Sequence, residues 1–450
     1  MQTCPRVRQI LTGTFNTAHL HLLAFDTLTH TLTLTSSISN AQGPHQYLAL
    51  GASPPIGQQN FEAGPRMKTV YATTWAQPPS LSAWAITDLD EDAGSSIEHS
   101  KKVDLKWLST VNITATSSYV HVQPPPYESI TAPSYGLPPG QPQYLYSAGG
   151  PTGELHLIDQ QTGAIVSGKR QEFIFLRDSG EGALANADKT RKALRYGAHN
   201  IDISVDQLAF VADLGRNAIL TYRRDPSDGT LTFLTETASP REGDGPRHVV
   251  PSPDGRWVFS VTEHSGCSSF VDVFEVSDKI SGTLIYRASL DILPEGSDRS
   301  TFRGDTVRLS PSGRAILAST RGKTPATKGW ISAWDLARLE DDLLRRTGRD
   351  PEVSVLLSRC RTPTSGGKAN AIEWAPRYAA LSTSPATSKE DMRPDDDWAV
   401  LTDDAEGYVL VLRWNGRDLE EVARTKLPGK GVPALGEGEE EGASHAIWLS

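Results

Sequence analysis

The sequence predicts an all-β fold: a seven-bladed β-propeller of four-stranded antiparallel blades, its ring closed by one C-terminal and three N-terminal strands. Three observations lead there. The first is a weak repeat. Ile201-Asp202-Ile203-Ser204, Val249-Val250-Pro251-Ser252 and Val307-Arg308-Leu309-Ser310 are short strands running into Ser-bearing turns, with the serines 48 and 58 positions apart. The second is the turn chemistry of Pro253-Asp254-Gly255 and Pro311-Ser312-Gly313. Proline presets φ, and glycine tolerates a positive one. The third is the strand pattern after each turn: two apolar strands and a more polar one, so that four strands recur every ~40–60 residues, a propeller rhythm.

In chain order, 9–13, 20–25 and 32–36 read as the second, third and fourth strands of a blade that lacks its first. A blade follows over 47–50, 69–73, 81–86 and 100–105, and another over 119–122, 144–147, 154–158 and 164–166. The three repeat blades continue through 208–213, 218–222 and 231–235, then 257–262, 270–276 and 283–290, then 315–320, 330–334 and 353–358. A sixth blade takes 371–374, 398–402, 408–414 and 420–425. The lone strand 445–449 supplies the missing first strand of the N-terminal set, which pairs otherwise exposed edges. At about 150 residues per domain the length suggests three domains, but one ring absorbs residues 1–450 as a single domain. Leucines 336, 339, 343 and 344 predict a short helix over 335–346, and 183–194 suggests a second. Residues 123–143, 389–397 and 436–442 read as loops.

Net charge is −10, so the chain lacks the basic footprint that nonspecific nucleic-acid binding and anionic membranes require. Cys4, Cys267 and Cys360 are far apart and form no disulfide framework or metal knuckle. No apolar stretch approaches ~18 residues and none follows the basic N-terminal residues as a signal core, so the expectation is a cytoplasmic protein. GxSxG, GxxxxGK[ST], GxGxxG and HExxH are absent. Asp88-x-Asp90-x-Asp92 opens like a calcium loop, but Ala93 and His99 stand where Gly and Glu are required. The acidic stretch Asp403-Asp404-Ala405-Glu406 reads as a turn between strands.

Propellers bind ligands where inner strand ends meet around the channel, so polar residues at equivalent blade positions are the candidates. His199, Arg247 and Asp305 enter the first strands of three successive blades, and Asp213, Glu263 and Arg321 end their second strands. Position alone equally fits a structural histidine and inter-blade salt bridges.

The blade texts 197–214, 245–263 and 304–322 resemble the lactonase family of seven-bladed propellers, which includes 6-phosphogluconolactonase-type proteins. Thr362-Pro363-Thr364-Ser365-Gly366-Gly367, Asn370-Ala371, Asp397-Trp398-Ala399, Thr402-Asp403-Asp404 and His445-Ala446-Ile447-Trp448 narrow the resemblance to fungal 3-carboxy-cis,cis-muconate cyclases. It spans nearly the whole chain, most closely 195–450. It implies a cofactor-free, metal-free intramolecular lyase that closes 3-carboxy-cis,cis-muconate to 3-carboxymuconolactone in the β-ketoadipate pathway, with a small tricarboxylate as the partner. The family's His, two Arg and Glu fall on His199, Arg247, Arg321 and Glu263. Lys368 departs from the pattern, which carries His there, and 183–194 and 336–346 look longer than in the family.

The residue types suit that chemistry. Arginine offers carboxylates a planar fork. Either His199, with an ordinary pKa near 6.5, or Glu263, if burial lifts its pKa, qualifies as proton donor. Two other classes compete: a lactone hydrolase of the 6-phosphogluconolactonase type, and a non-catalytic binding scaffold.

Overall fold

The computed structural model describes residues 7–39, 41–51, 68–89, 102–122, 142–177, 182–264, 269–345, 354–376, 396–428 and 441–449. The calcium-like segment beyond Leu89, Cys4 and Cys267, and most of the loops expected at 123–143, 389–397 and 436–442 lie outside these residues.

The described strands form seven four-stranded antiparallel sheets. The first blade is Leu48–Gly51, Lys68–Thr74, Ser80–Leu89 and Lys102–Asn112. The second is Tyr119–Val122, Gln143–Gly149, Thr152–Ile158 and Gln171–Ile174. The third is Ala198–Ile203, Leu208–Asp213, Ala218–Arg224 and Leu231–Ala238. The fourth is Pro246–Pro251, Trp257–Thr262, Phe270–Asp278 and Thr283–Asp291. The fifth is Phe302–Leu309, Ala315–Gly322, Trp330–Asp335 and Leu356–Arg361. The sixth is Ile372–Trp374, Asp397–Asp403, Tyr408–Trp414 and Leu419–Lys426. The seventh joins Ala443–Trp448 to Val7–Thr14, Leu20–Asp26 and Thr31–Ile38, so one C-terminal strand completes three N-terminal ones.

The first strands of successive blades touch all the way round, and Ala443–Trp448 meets Leu48–Gly51 to close the ring. These seven inner strands wall the channel. The core lies between blades: Leu208, Phe210, Val258 and Phe274 pack the third against the fourth, and Trp257, Val273, Ile316 and Trp334 the fourth against the fifth. Second strands are therefore buried on both faces, as Trp257–Thr262 is throughout, while the outer strand Leu231–Ala238 is mostly half-buried or exposed.

The repeated serines close the turn between first and second strands. Ser204, Ser252 and Ser310 each accept, through the hydroxyl, the backbone N–H of Leu208, Trp257 and Ala315. Gly255 and Gly313 take the left-handed conformation these turns need, at φ 70° and 65°, and Gln207 adopts it in the third blade at 62°.

One expected strand is replaced. Ile165 makes only an isolated bridge to Ile158, and the chain turns again through Gly168 at φ 88°. Gln171–Ile174 then forms the outer strand, where the Gln171 side-chain amide exchanges two hydrogen bonds with the Leu231 backbone of the next blade. The fifth blade's outer strand likewise starts later than expected, at Leu356. The leucine-spaced helix is Leu336–Arg345, with Leu336 and Leu339 buried and Leu344 exposed. The second expected helix splits into a four-residue turn, Ala183–Asn186, and a 3-10 turn, Arg191–Arg195.

Candidate active site

His199, Arg247 and Asp305 occupy the same structural position in three neighbouring blades. Each sits at an irregularity where its inner strand slips against the second strand: between Ala198 and Asn200, between Pro246 and His248, and between Gly304 and Val307. A bulged residue leaves the ladder and its side chain is re-aimed. Here the re-aimed side chains face the channel, where all three line a narrow cleft.

Glu263 and Arg321 lie behind the cleft and lock this set together. Glu263 Oε2 is 3.0 Å from Arg247 Nε, and Oε1 accepts a hydrogen bond from Arg321 Nη2. Asp305 pairs with both guanidiniums, at 3.2 Å from Arg247 Nη1 and 3.1 Å from Arg321 Nε. Its backbone carbonyl also accepts from Arg247 Nη1 at 2.7 Å. Arg303, about one-third exposed, places Nη1 3.5 Å from Glu263 Oε1. The Gly-Gly segment contributes a backbone acceptor, since the Gly367 carbonyl accepts from Arg321 Nη1 at 3.3 Å.

Electrostatics separate the two candidate proton donors. Burial alone would lift the Glu263 carboxyl, but the Arg321 and Arg247 charges pull it down to about 2. It is an ionised counter-ion. Burial and the Arg247 charge push the His199 imidazole well below its ordinary range. His199 is 5% exposed, and its Nδ1 makes no hydrogen bond among the described residues. Ser118 fixes its backbone by donating to the His199 carbonyl at 2.7 Å.

The structure adds residues that strand periodicity does not mark. His248 follows the Arg247 bulge, and both side chains reach the cleft. Its ring lies 5.3 Å from that of His199 and 5.6 Å, edge-on, from Tyr119. Tyr119 packs 4.0 Å from Tyr47, which stacks on His445 at 3.9 Å. An aromatic column thus runs through the channel between inner strands of different blades. Buried Arg308 braces it, donating to the Tyr47 hydroxyl at 2.6 Å and to Glu373 Oε2 at 2.9 Å. Burial alone would raise Glu373, yet Arg308 and His445 hold it at about 2.

Two sequence candidates fall elsewhere. Asp213 caps its own turn, accepting the Arg216 backbone N–H at 2.9 Å, and burial lifts its carboxyl to about 6. Lys368 stands half-exposed at the rim, where Nζ donates to Asn16 at 2.8 Å and lies 5.6 Å over the Phe15 ring. The Asp403–Glu406 stretch is a turn, as its sequence suggests, with Asp403 accepting the Ala405 N–H at 2.7 Å.

Known proteins agree with this architecture. A family model described as lactonase, 7-bladed beta-propeller, matches residues 139–343. Muconate cycloisomerase 1 of Cutaneotrichosporon cutaneum is 29% identical over 430 residues, covering 95% of this chain and 96% of that protein. The carboxy-cis,cis-muconate cyclase of Neurospora crassa is 29% identical over 227 residues, 49% of this chain and 54% of the relative. Among solved structures, the periplasmic gluconolactonase of Pseudomonas aeruginosa superposes with a TM-score of 0.59 at 16% identity, covering 99% of each chain, a likeness of fold. Together with the ring of seven four-stranded blades, these likenesses show that the chain is a seven-bladed β-propeller similar to the lactonase family over residues 139–343.

Proposed function

We propose that the chain is a cytoplasmic intramolecular lyase that cyclises 3-carboxy-cis,cis-muconate to 3-carboxymuconolactone, with His199, Arg247, Arg321 and Glu263 as its working groups. The observation that carries this reading is the meeting of Arg247 and the hydrogen-bond-free His199 Nδ1 in one cleft, with Arg321 directly behind and joined to Arg247 through Glu263 and Asp305. The full-length likeness to a muconate cycloisomerase and the partial likeness to a carboxymuconate cyclase support it.

The chemistry follows from charge. One substrate carboxylate attacks an alkene carbon, forming the ring C–O bond. The electron pair moves to the carbon α to a second carboxylate, which takes up one proton, so a trianion and a proton give a dianionic lactone. The two guanidiniums hold carboxylates and stabilise the enolate-like charge, each charged hydrogen bond contributing roughly 1.5–3 kcal/mol. Glu263 and Asp305 keep both arginines in place while the cleft is empty. Burial and the Arg247 charge both disfavour His199 protonation, and a bound trianion offsets the Arg247 part, which favours the imidazolium that delivers the proton. Arg303 offers a third cation at the rim and favours a tricarboxylate over a dicarboxylate.

The test is loss of the conjugated-diene absorbance when purified protein meets 3-carboxy-cis,cis-muconate, with cis,cis-muconate and 6-phosphogluconolactone in parallel. Cyclisation of the tricarboxylate above its spontaneous rate is expected. Faster turnover of cis,cis-muconate would reassign the substrate. Lactone hydrolysis alone would move the chain to the lactonase reading, and silence on all three would favour a scaffold.

A further inference from the structure

A second cluster lies where the ring is closed. His19 enters the strand Leu20–Asp26, and His21 lies two residues on, on the same face of an extended chain. Glu441 comes from the other end of the chain, just before the closing strand Ala443–Trp448. His19 Nδ1 meets Glu441 Oε1, and His21 Nε2 lies 3.2 Å from Glu441 Oε2. Their ligand-type atoms all fall within 4.8 Å of one another.

We propose that His19, His21 and Glu441 form a binding site for a divalent transition metal of the zinc class that clips the two chain ends across the ring closure. Two imidazoles and one carboxylate are borderline-soft donors that suit such ions. Spacing supports it. Tetrahedral bonds of about 2.0–2.2 Å put two ligand atoms roughly 3.3 Å apart, close to the 3.2 Å between His21 Nε2 and Glu441 Oε2. Satisfaction supports it independently. Both of these atoms are fully buried and face each other, and neither has a partner besides the other among the described residues, so a cation between them would add a bond to each.

The outer contacts are those a metal site needs. His21 Nδ1 lies 2.7 Å from Ser37 Oγ, which sets the ring orientation, and Thr17 Oγ1 donates to Glu441 Oε1 at 2.9 Å. The His19 side chain is 16% exposed, giving an entry path and room for a solvent fourth ligand. His19 and Glu441 are 422 positions apart, so no sequence spacing announces the site, and a metal there crosslinks nearly the entire ring. The same closure carries the Phe15 N–H to Gly442 carbonyl hydrogen bond at 3.2 Å, and Phe15 lines the cleft.

The experiment uses the full chain, stripped by chelator and dialysed against micromolar Zn2+ or Co2+. About one equivalent is expected to remain bound, with tetrahedral Co2+ absorption and a thermal midpoint raised by a few degrees that chelator reverses. His19→Ala, at the exposed edge and tolerant of truncation, and Glu441→Gln should each weaken binding at least tenfold. Circular dichroism checks that both variants are folded. Less than a tenth of an equivalent on the wild type, or variants that bind as tightly as it does, overturns the proposal. Neither readout depends on which reaction the channel performs.

Discussion

Arg247 and Arg321 stand on neighbouring blades and are joined by the same two carboxylates. Glu263 spans them with one oxygen each, and Asp305 pairs with both from the other side. The result is a nearly neutral, desolvated cluster whose guanidiniums are fixed by protein carboxylates. Pre-aimed donors in a water-poor site cost no reorganisation when charge develops on a substrate.

Removing either arginine should therefore act on turnover as well as on binding. Arg321→Ala and Arg247→Ala are each expected to lower kcat/KM about 10–150-fold, the equivalent of roughly 1.5–3 kcal/mol for one charged hydrogen-bonding partner. His199→Ala should lower kcat at little cost in KM, since it removes the proposed proton donor and leaves the proposed carboxylate clamps. Steady-state kinetics on folded variants measure this. Near-wild-type turnover in both Arg321→Ala and His199→Ala would refute the site assignment.

Glu263→Gln should be a stability variant first. It leaves two buried guanidiniums with Asp305 as their remaining carboxylate among the described contacts. Breaking a buried ion pair from one side costs about 3–5 kcal/mol. The exposed Arg345–Asp341 pair provides the contrast, because Asp341→Asn should cost only about 0.3–0.5 kcal/mol. Denaturant midpoints of the two variants decide it; equal losses would mean that the Arg–Glu–Arg bridge is not held as described.

Stability should fall as pH drops below the ordinary histidine range. Burial, with the Arg247 charge, holds His199 and His248 neutral in the folded protein. In the unfolded chain both titrate near 6.5. Below that pH the unfolded state binds protons the native state refuses, so the native state loses about 1.4 kcal/mol per pH unit for each such histidine. Urea midpoints measured from pH 7.5 to 5 should therefore decline, and His248→Gln should remove about half of the slope that the pair supplies. Glu263 and Glu373 act in the same direction further down, between their ordinary value of 4.5 and about 2.

The blade rhythm was legible because it rests on local chemistry: alternating strands, Ser turns and left-handed turn positions. Even the shared seventh blade followed from counting strand types. His199, Arg247 and Asp305 were legible as equivalent positions, and they prove to sit at equivalent strand irregularities. His248 was not, because strict alternation turns the neighbour of an inward residue away, and only the bulge lets both reach the cleft. Tyr47, Tyr119, Arg308, Glu373 and His445 were hidden for another reason. Their contacts join blades distant in sequence, as Arg308 and Tyr47 do across 261 positions, and no local pattern encodes such a pairing.

Gly366 tests how the Gly-Gly segment holds the site. It sits at φ 81°, and a Cβ there would overlap the Asn370 side-chain amide. Asn370 donates to the Thr320 carbonyl at 2.9 Å, next to Arg321 in the same strand. Gly366→Ala should thus lower stability by about 1–3 kcal/mol, from backbone strain and the displaced amide, and raise KM through a shifted Arg321. A variant with unchanged KM would uncouple this segment from the arginine.

Arg303 should set the choice between substrates with two and three carboxylates. It is the more exposed of the three arginines paired with Glu263, so its truncation spares the buried cluster. Arg303→Ala is expected to lower kcat/KM for 3-carboxy-cis,cis-muconate about tenfold, as loss of one partly solvated charged contact, while changing the rate with cis,cis-muconate less than about twofold. Paired kinetics on the two dienes give the ratio directly. Equal losses on both substrates would make Arg303 a general anion-attracting residue, and no loss on either would leave the third carboxylate to another group.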